Sequence, residues 1–190
     1  MFFEATNKRT MQKIPACLLA TIIACGIACE APVKNAPAQD SPAQAPQGEG
    51  LLPGATAPDF SMPDVNGKQV SLSSLRGQYV LLDFWASWCP NCRREHPNVI
   101  NLYNKYKNKN FTVLGVSLDE HKEKWLQAIA RDRLPWTQVS NLQGWTGRIQ
   151  QDIYQLNVLP TNFLLDPAGR IIARDLRGDI LDIQLAALLN

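Results

Sequence analysis

The chain has 190 residues, a formal charge of +2, 45% hydrophobic residues and 8% aromatic ones, the composition of an ordinary globular protein with room for one domain. A charge so close to zero gives no electrostatic footprint for nucleic acid. Five cysteines is an odd number, which excludes a fully paired disulfide framework and leaves at least one thiol for another purpose.

The N-terminus has the pattern of a targeting segment. Lys8, Arg9 and Lys13 precede an uncharged stretch from Ile14 to Cys29, shorter than the roughly 20 apolar residues that cross a bilayer. A basic start, a short apolar run and small residues at its end make a secretory signal peptide, and without an Arg-Arg pair the general secretory route is the simpler one. Ile22-Ile23-Ala24-Cys25 resembles the lipobox of bacterial lipoproteins, which implies that Cys25 is acylated and becomes the first residue of the mature chain. Cys29 follows Gly26-Ile27-Ala28 and lacks the aliphatic residue three positions back, and Cys17 comes before the apolar run is complete. A cleaved soluble secretory protein and a retained short anchor are the alternatives. Several acyl chains, at about 0.8 kcal/mol per buried methylene, hold stably to a bilayer. Removing residues 1–24 takes away three basic residues and Glu4, so the counts of 19 basic and 17 acidic residues become equal and the mature chain is formally neutral.

Residues 25–50 are expected to be the lipidated end and a tether. Glu30 to Gly50 carries Pro32, Pro37, Pro42 and Pro46 among Ala, Gln and Gly, too few apolar groups to bury a core, and extends at up to about 3 Å per residue if polyproline-like. A docking ligand is the alternative, although no partner motif stands in it.

From Leu51 onward the composition changes, and 51–190 is expected to be one domain. Val70 and Leu72, after the Asn66-Gly67 turn signal, suggest a hairpin. Tyr79-Val-Leu-Leu-Asp-Phe-Trp85 is a nearly continuous apolar run, the pattern of a strand buried on both faces. A helix is expected from Pro90, with Val99, Leu102, Tyr103 and Tyr106 at i, i+3, i+4 and i+7. Phe111 to Ser117 is a second buried strand. Lys122 to Arg131 is predicted to be a surface helix with Trp125, Ala128 and Ile129 inward, and a short helix covers Thr146 to Tyr154. Asn162 to Asp166 and Arg170 to Asp175 are strands around the Asp166-Pro-Ala-Gly169 turn. Asp179 is placed to cap a last helix with Leu181, Leu185 and Leu188 on its buried side. This order predicts an α/β fold with a mixed central sheet, helices on both faces and an N-terminal β-hairpin extension.

The chemistry is expected at Cys89-Pro-Asn-Cys92, where a buried strand turns into a helix. Positions i and i+3 share a helix face, so the two sulfurs can form and open a disulfide without moving the scaffold. Cys89 meets the unpaired N–H groups and positive dipole end of the helix, which favour thiolate and make it the attacking sulfur. Cys92, one turn inside, is the natural resolving thiol. Pro90 suits the first turn, where its missing N–H would have had no partner.

Asp83-Phe-Trp-Ala-Ser-Trp-Cys-Pro-Asn-Cys92 resembles the active-site segment of the thioredoxin superfamily, and within it the extracytoplasmic TlpA/ResA-like thiol–disulfide oxidoreductases. The resemblance runs from about Ala57 to the C-terminus and includes Pro97 as a helix-kinking proline and Tyr154 ahead of Val158-Leu-Pro-Thr161. It implies a thioredoxin-like fold, a cis peptide bond before Pro160 beside the cysteines, and a backbone at Leu159 that binds an extended substrate. It also implies that Asp83 moves a proton to and from Cys92, although many relatives carry asparagine there, and that Glu95 sets cysteine pKa. The bland alternatives are a hydrogen bond from Asp83 to nearby backbone and a solvated Glu95. Burial alone would raise the Asp83 pKa. Trp88 and Pro90 are expected to face the substrate, Trp85 to pack, and His96 and His121 to lie on the surface.

No cofactor is expected beyond the Cys89–Cys92 disulfide. A zinc site would need two more ligands, and covalent haem would need histidine where Arg93 stands. A peroxiredoxin-like peroxidase and a copper-binding protein using the cysteines with His96 are the alternatives, the first lacking its threonine and proline before Cys89. The expected activity is reduction of protein disulfides by a monomer that faces the periplasm, with electrons from a membrane thiol/disulfide donor. Cys29 has no assigned role.

Overall fold

The computed structural model describes residues 51–189; the segments expected to be a signal peptide and a tether, with Cys17, Cys25 and Cys29, lie outside them. The Asn66-Gly67 turn closes an antiparallel hairpin of β1 (Ser61–Pro63) and β2 (Gln69–Ser71). Gly67 takes a φ of +86°, which a side chain would oppose. Val70 lies in β2, whereas Leu72 already belongs to a 3-10 turn (Leu72–Leu75) capped by the Ser71 hydroxyl.

The apolar run forms β3 (Tyr79–Trp85), followed by α1 (Pro90–Tyr106), β4 (Phe111–Ser117), α2 (Lys122–Asp132) and β5 (Thr137–Val139). After β6 (Thr161–Leu165) and β7 (Ile171–Arg174) comes α3 (Gly178–Leu189). The five-stranded sheet has the order β5-β4-β3-β6-β7. β3, β4 and β5 are parallel, and β6 and β7 run antiparallel to their neighbours. β3 sits in the middle, and from Val80 to Trp85 every residue is buried, as expected of a strand covered on both faces.

Alternate residues of β3 point to opposite layers. Phe84 and Phe163 of β6 pack on Tyr154, which Phe60 also meets edge to face, and the Tyr154 hydroxyl donates to the Pro58 carbonyl at 2.6 Å. On the other layer Trp85 meets His96 of α1 edge to face at 5.0 Å. α3 is tied to α1 there by Asp182, which accepts from Lys105 at 2.8 Å and from the Tyr106 hydroxyl at 2.9 Å. Both sheet edges are covered. Residues 54–57 bond with Gly169 and Ile171 along β7, and Asp64 bridges to Val139 of β5, which blocks pairing with another chain.

Several expectations need correction. The helix expected over 146–154 is a 3-10 turn, Gly144–Thr146, and a π turn, Ile149–Ile153; Gly147 is extended between them and interrupts the helical path. In α3 the buried leucines are Leu181, Leu185 and Leu189, and Leu188 is half-buried, because an i, i+4, i+8 stripe drifts around a 3.6-residue turn. The helix starts at Gly178, so Asp179 lies inside its first turn instead of capping it. β5 has no counterpart in the sequence reading. Among the described residues no helix is long and apolar enough to cross a membrane.

Leu82 is fully buried at the centre of β3, so Leu82→Ala is expected to remove about 2–5 kcal/mol of stability, measured by urea unfolding of the oxidised protein. A loss under about 1 kcal/mol would show that the strand is not the centre of the core.

Candidate active site

The redox pair stands where β3 gives way to α1. After Trp85 the chain turns through residues 86–88, and the Cys89 N–H donates to the Ala86 carbonyl at 3.1 Å. Cys89 is then the N-cap of α1, in extended conformation, with Pro90 as the first helical residue. The two sulfurs are joined in a disulfide with the Cα atoms 5.4 Å apart. The Cys92 N–H donates to Cys89 Sγ at 3.1 Å. A backbone N–H on that sulfur, added to the helix dipole, stabilises its negative charge after reduction. Cys92 is only 1% exposed and Cys89 5%, so an incoming disulfide meets Cys89 first.

The turn before Cys89 is held by a residue that the sequence reading missed. Asp119, just beyond β4, accepts from the Ser87 N–H at 3.0 Å, from the Ser87 hydroxyl at 2.5 Å and from the Ser117 hydroxyl at 2.8 Å. The preceding Trp85 is buried and donates its indole N–H to Gln138 Oε1 at 2.9 Å, a packing role as expected. Gly115 makes room for that glutamine, since a Cβ there would stand 2.2 Å from Gln138 Oε1. A glycine inside a buried strand is the one local signal for this close approach.

Asp83 lies on the α1 side of β3, paired across the sheet with Gly115 and Asn162. It is buried, and desolvation lifts its carboxyl from 3.8 to about 7, with the Arg177 guanidinium opposing the rise and the Glu95 carboxylate adding to it. Among the described residues no hydrogen bond reaches its carboxyl group. Glu95 is not a solvated helix residue. Its Oε1 accepts from Asn98 Nδ2 at 2.7 Å and from the Gly178 N–H at 2.9 Å, so it takes up the free N–H at the start of α3, the place expected for Asp179. Arg177, the residue before Gly178, donates through Nη2 to the Pro160 carbonyl, and its Nη1 is buried without a partner.

The Leu159–Pro160 bond is cis. Pro160 directly precedes Thr161, which pairs with Phe84 of β3, so the register alone sets Pro160 beside the end of the strand that leads to Cys89. Leu159 is 8% exposed, whereas Val158 is 61% and Trp88 52% exposed. The sheet therefore gathers Cys89, Cys92, Asp83, Glu95 and Pro160 at one end, with Trp88, Pro90 and Val158 facing outward.

His96 corrects the expectation of a surface residue. It is 2% exposed, and its Nδ1 lies 3.0 Å from Asp132 Oδ2. Arg93 grips the same carboxylate through Nε at 2.8 Å and Nη2 at 2.5 Å. Burial holds the imidazole below its usual pKa against the pull of Asp132, while the Arg93 hydrogen bonds hold Asp132 below the carboxylate range. One half-buried carboxylate at the end of α2 thus fixes the first turns of the helix that carries both cysteines. His121 is exposed, as expected, and no group of three or more His, Cys, Asp or Glu side chains suited to a metal is present among the described residues.

Residues 53–174 match the model of the AhpC/TSA family. The chain belongs to that family. Thiol–disulfide oxidoreductase ResA of Bacillus subtilis is 32% identical over 124 residues, 65% of this chain and 67% of that protein. ResA of Geobacillus kaustophilus is 36% identical over 62% of this chain and 66% of that protein, so the chain spans about two thirds of these relatives. A solved thioredoxin domain of a thiol–disulfide oxidoreductase from Bacteroides vulgatus is 37% identical with a TM-score of 0.69, covering 73% of this chain and 99% of that one. A thiol–disulfide oxidoreductase from Bacteroides fragilis is 42% identical with a TM-score of 0.67, over 70% of this chain and 99% of that one. The chain is a thiol–disulfide oxidoreductase with the thioredoxin-like fold.

Asp83 makes stability depend on pH. Its folded-state pKa of about 7 lies above the unfolded 3.8, so the stabilisation is complete below about pH 4 and is lost as pH rises through 7. At about 1.4 kcal/mol per pKa unit, the ceiling is roughly 4 kcal/mol. Oxidised Asp83→Asn is expected to keep its stability between pH 4 and 8 while the parent loses it, read from urea midpoints across that range. Parallel profiles for the two proteins would mean that Asp83 titrates as an ordinary carboxyl.

Proposed function

We propose that the chain is a lipid-anchored, periplasm-facing reductase of protein disulfides. The observation that carries the reading is the asymmetry of the pair, with Cys89 capped by the Cys92 N–H at the helix start and Cys92 covered behind it. In the reduced enzyme the Cys89 thiolate attacks one sulfur of a substrate disulfide, forms a mixed disulfide and releases the other sulfur as a thiolate. Cys92 loses its proton and attacks Cys89 Sγ, which frees the second substrate sulfur and closes Cys89–Cys92. Two electrons pass to the substrate, and a membrane thiol/disulfide donor returns them.

Asp83 is the base for Cys92 in this scheme. A carboxyl with a pKa of about 7 is ionised in a large fraction of molecules near neutral pH and returns its proton readily, the condition that makes a general base efficient. Trp88 and Pro90 line the approach to Cys89, and the backbone at Leu159, before cis Pro160, receives the substrate segment in extended form. Cys25 carries the lipid, and residues 30–50 hold the domain away from the bilayer. The protein acts as a monomer without a further cofactor.

Reduced Cys92→Ala is expected to accumulate mixed disulfides through Cys89, visible as thiol-sensitive adducts on gels, and Cys89→Ala is expected to lose more than about a hundredfold in insulin reduction. Insulin reduction retained by both variants would overturn the dithiol mechanism. A measured potential of the couple near the roughly −270 mV of thioredoxin fits a reductant, whereas one near the roughly −120 mV of the oxidant DsbA would reverse the direction. For the anchor, Cys25→Ala is expected to move the protein from the membrane to the soluble fraction of cells; a variant that stays membrane-bound would show that Cys25 is not the lipid site.

A further inference from the structure

Trp88 stands between two open depressions in the surface. One is lined by Ser87, Trp88, Pro90, Arg93 and Arg94, the other by Ser87, Trp88, Lys124, Gln127, Ala128 and Arg131. Four of these residues are cations, and among the described residues no carboxylate lines either depression. Arg93 is spent on Asp132, which it holds with two hydrogen bonds. Arg131 stands 3.6 Å from that carboxylate, which Arg93 already occupies. Arg94 and Lys124 are exposed and line one depression each, both shared with Trp88, and Arg94 bonds only to the neutral Asn91 side chain.

The α2 side of the face repeats as Lys124, Gln127, Ala128 and Arg131, one stripe of a helix. Glu123 lies one residue off that stripe, about 100° around the axis, and Asp119 is buried behind Ser87; with Asp132 these are three carboxylates against the four cations. A local positive excess therefore sits beside the attacking sulfur, while the mature chain of the lipoprotein reading is neutral as a whole. Arg94 is five residues beyond Cys89, roughly 7 Å along the helix axis, which an extended peptide covers in about two residues.

We propose that the substrates of this site carry acidic residues within a few positions of the disulfide, held by Arg94, Lys124 and Arg131 while an apolar neighbour of the cysteine rests on Trp88. Trp88 is 52% exposed, with Trp145 6.5 Å away extending the apolar surface. An aromatic surface ringed by cations accepts a segment in which an apolar residue alternates with carboxylates. A segment with lysines there is repelled. The proposal rests on the reductase reading above, and charge of this kind acts on encounter and choice of partner more than on the chemical step.

The test uses the full reduced chain and three peptides that share one internal disulfide and differ only in the residues flanking it, glutamate, serine or lysine. Each kcat/KM is divided by the peptide's rate with dithiothreitol, a neutral thiol, to remove intrinsic differences in disulfide reactivity. The glutamate peptide is expected to exceed the lysine peptide by about tenfold or more at low salt, and the ratio to shrink several-fold near 0.5 M NaCl, where the Debye length falls to roughly 4 Å. Arg94→Glu/Lys124→Glu is expected to invert the order of the peptides. Lys107→Glu/Lys109→Glu makes the same charge change at the far end of α1, roughly 25 Å away, and is expected to leave the order as it was. Equal normalised rates for the three peptides, or equal effects of the two double variants, would overturn the acidic-substrate proposal while leaving the reductase reading intact. If none of the peptides, nor insulin, is reduced, the reductase reading falls and the proposal with it.

Discussion

The pairing of β3 with β4 on one side and β6 on the other sets the distances at the site. Leu81 opposite Val113 and Leu164 is a hydrophobic match, and its register carries through to the end of the strand, where Trp85 pairs with Ser117 and Phe84 with Thr161. From there three chain ends converge: the turn into α1 with Cys89, the turn after β4 with Asp119, and the loop before β6 with Pro160. A slip of one residue would send Asp83 to the Tyr154 layer and Phe84 under α1. The reactive sulfurs have little freedom because the strand that delivers them has none.

Three charges then occupy the layer between β3, α1 and α3, and each answers to another. Asp83 is destabilised as an anion by burial, Glu95 worsens this, and Arg177 relieves it. Glu95 is itself fixed by the start of α3 and Arg177 by the carbonyl of Pro160. The electrostatics of the buried carboxyl are therefore tied to the same groups that hold the Pro160 loop against the helix. On the opposite flank Asp132 serves α1 in a similar way through Arg93 and His96.

Much of the fold was legible because its signals are local. The apolar run of β3, the Pro90 start, the Asn66-Gly67 turn and the Asp166-Pro-Ala-Gly169 hairpin each declare themselves within a few residues, as do the two cysteines. Side chains whose meaning depends on a distant partner were not legible. Nothing near His96 announces Asp132, and nothing near Arg177 announces Asp83. β5, short and centred on Gln138, is a strand because β4 lies beside it and Trp85 needs an acceptor. Leu189 replaced Leu188 on the buried stripe for a related reason, since the direction from which α1 meets α3 is a tertiary property. The resemblance carried by the active-site segment named Glu95 as a site residue, while the structure adds that it closes the start of α3.

The clamps on the active-site segment share one property: they come later in the chain than the cysteines they control. Trp85 waits for Gln138, Ser87 for Asp119, Arg93 and His96 for Asp132, and Asp83 for Arg177. A chain made from its N-terminus exposes Cys89 and Cys92 well before these partners exist. The dithiol of an unfinished molecule then has the start of its own helix to favour the Cys89 thiolate, but not yet the partners that fix that helix and its turn. A chain shortened before Asp132 would keep both cysteines and lose the carboxylate that holds Arg93 and His96 of their helix.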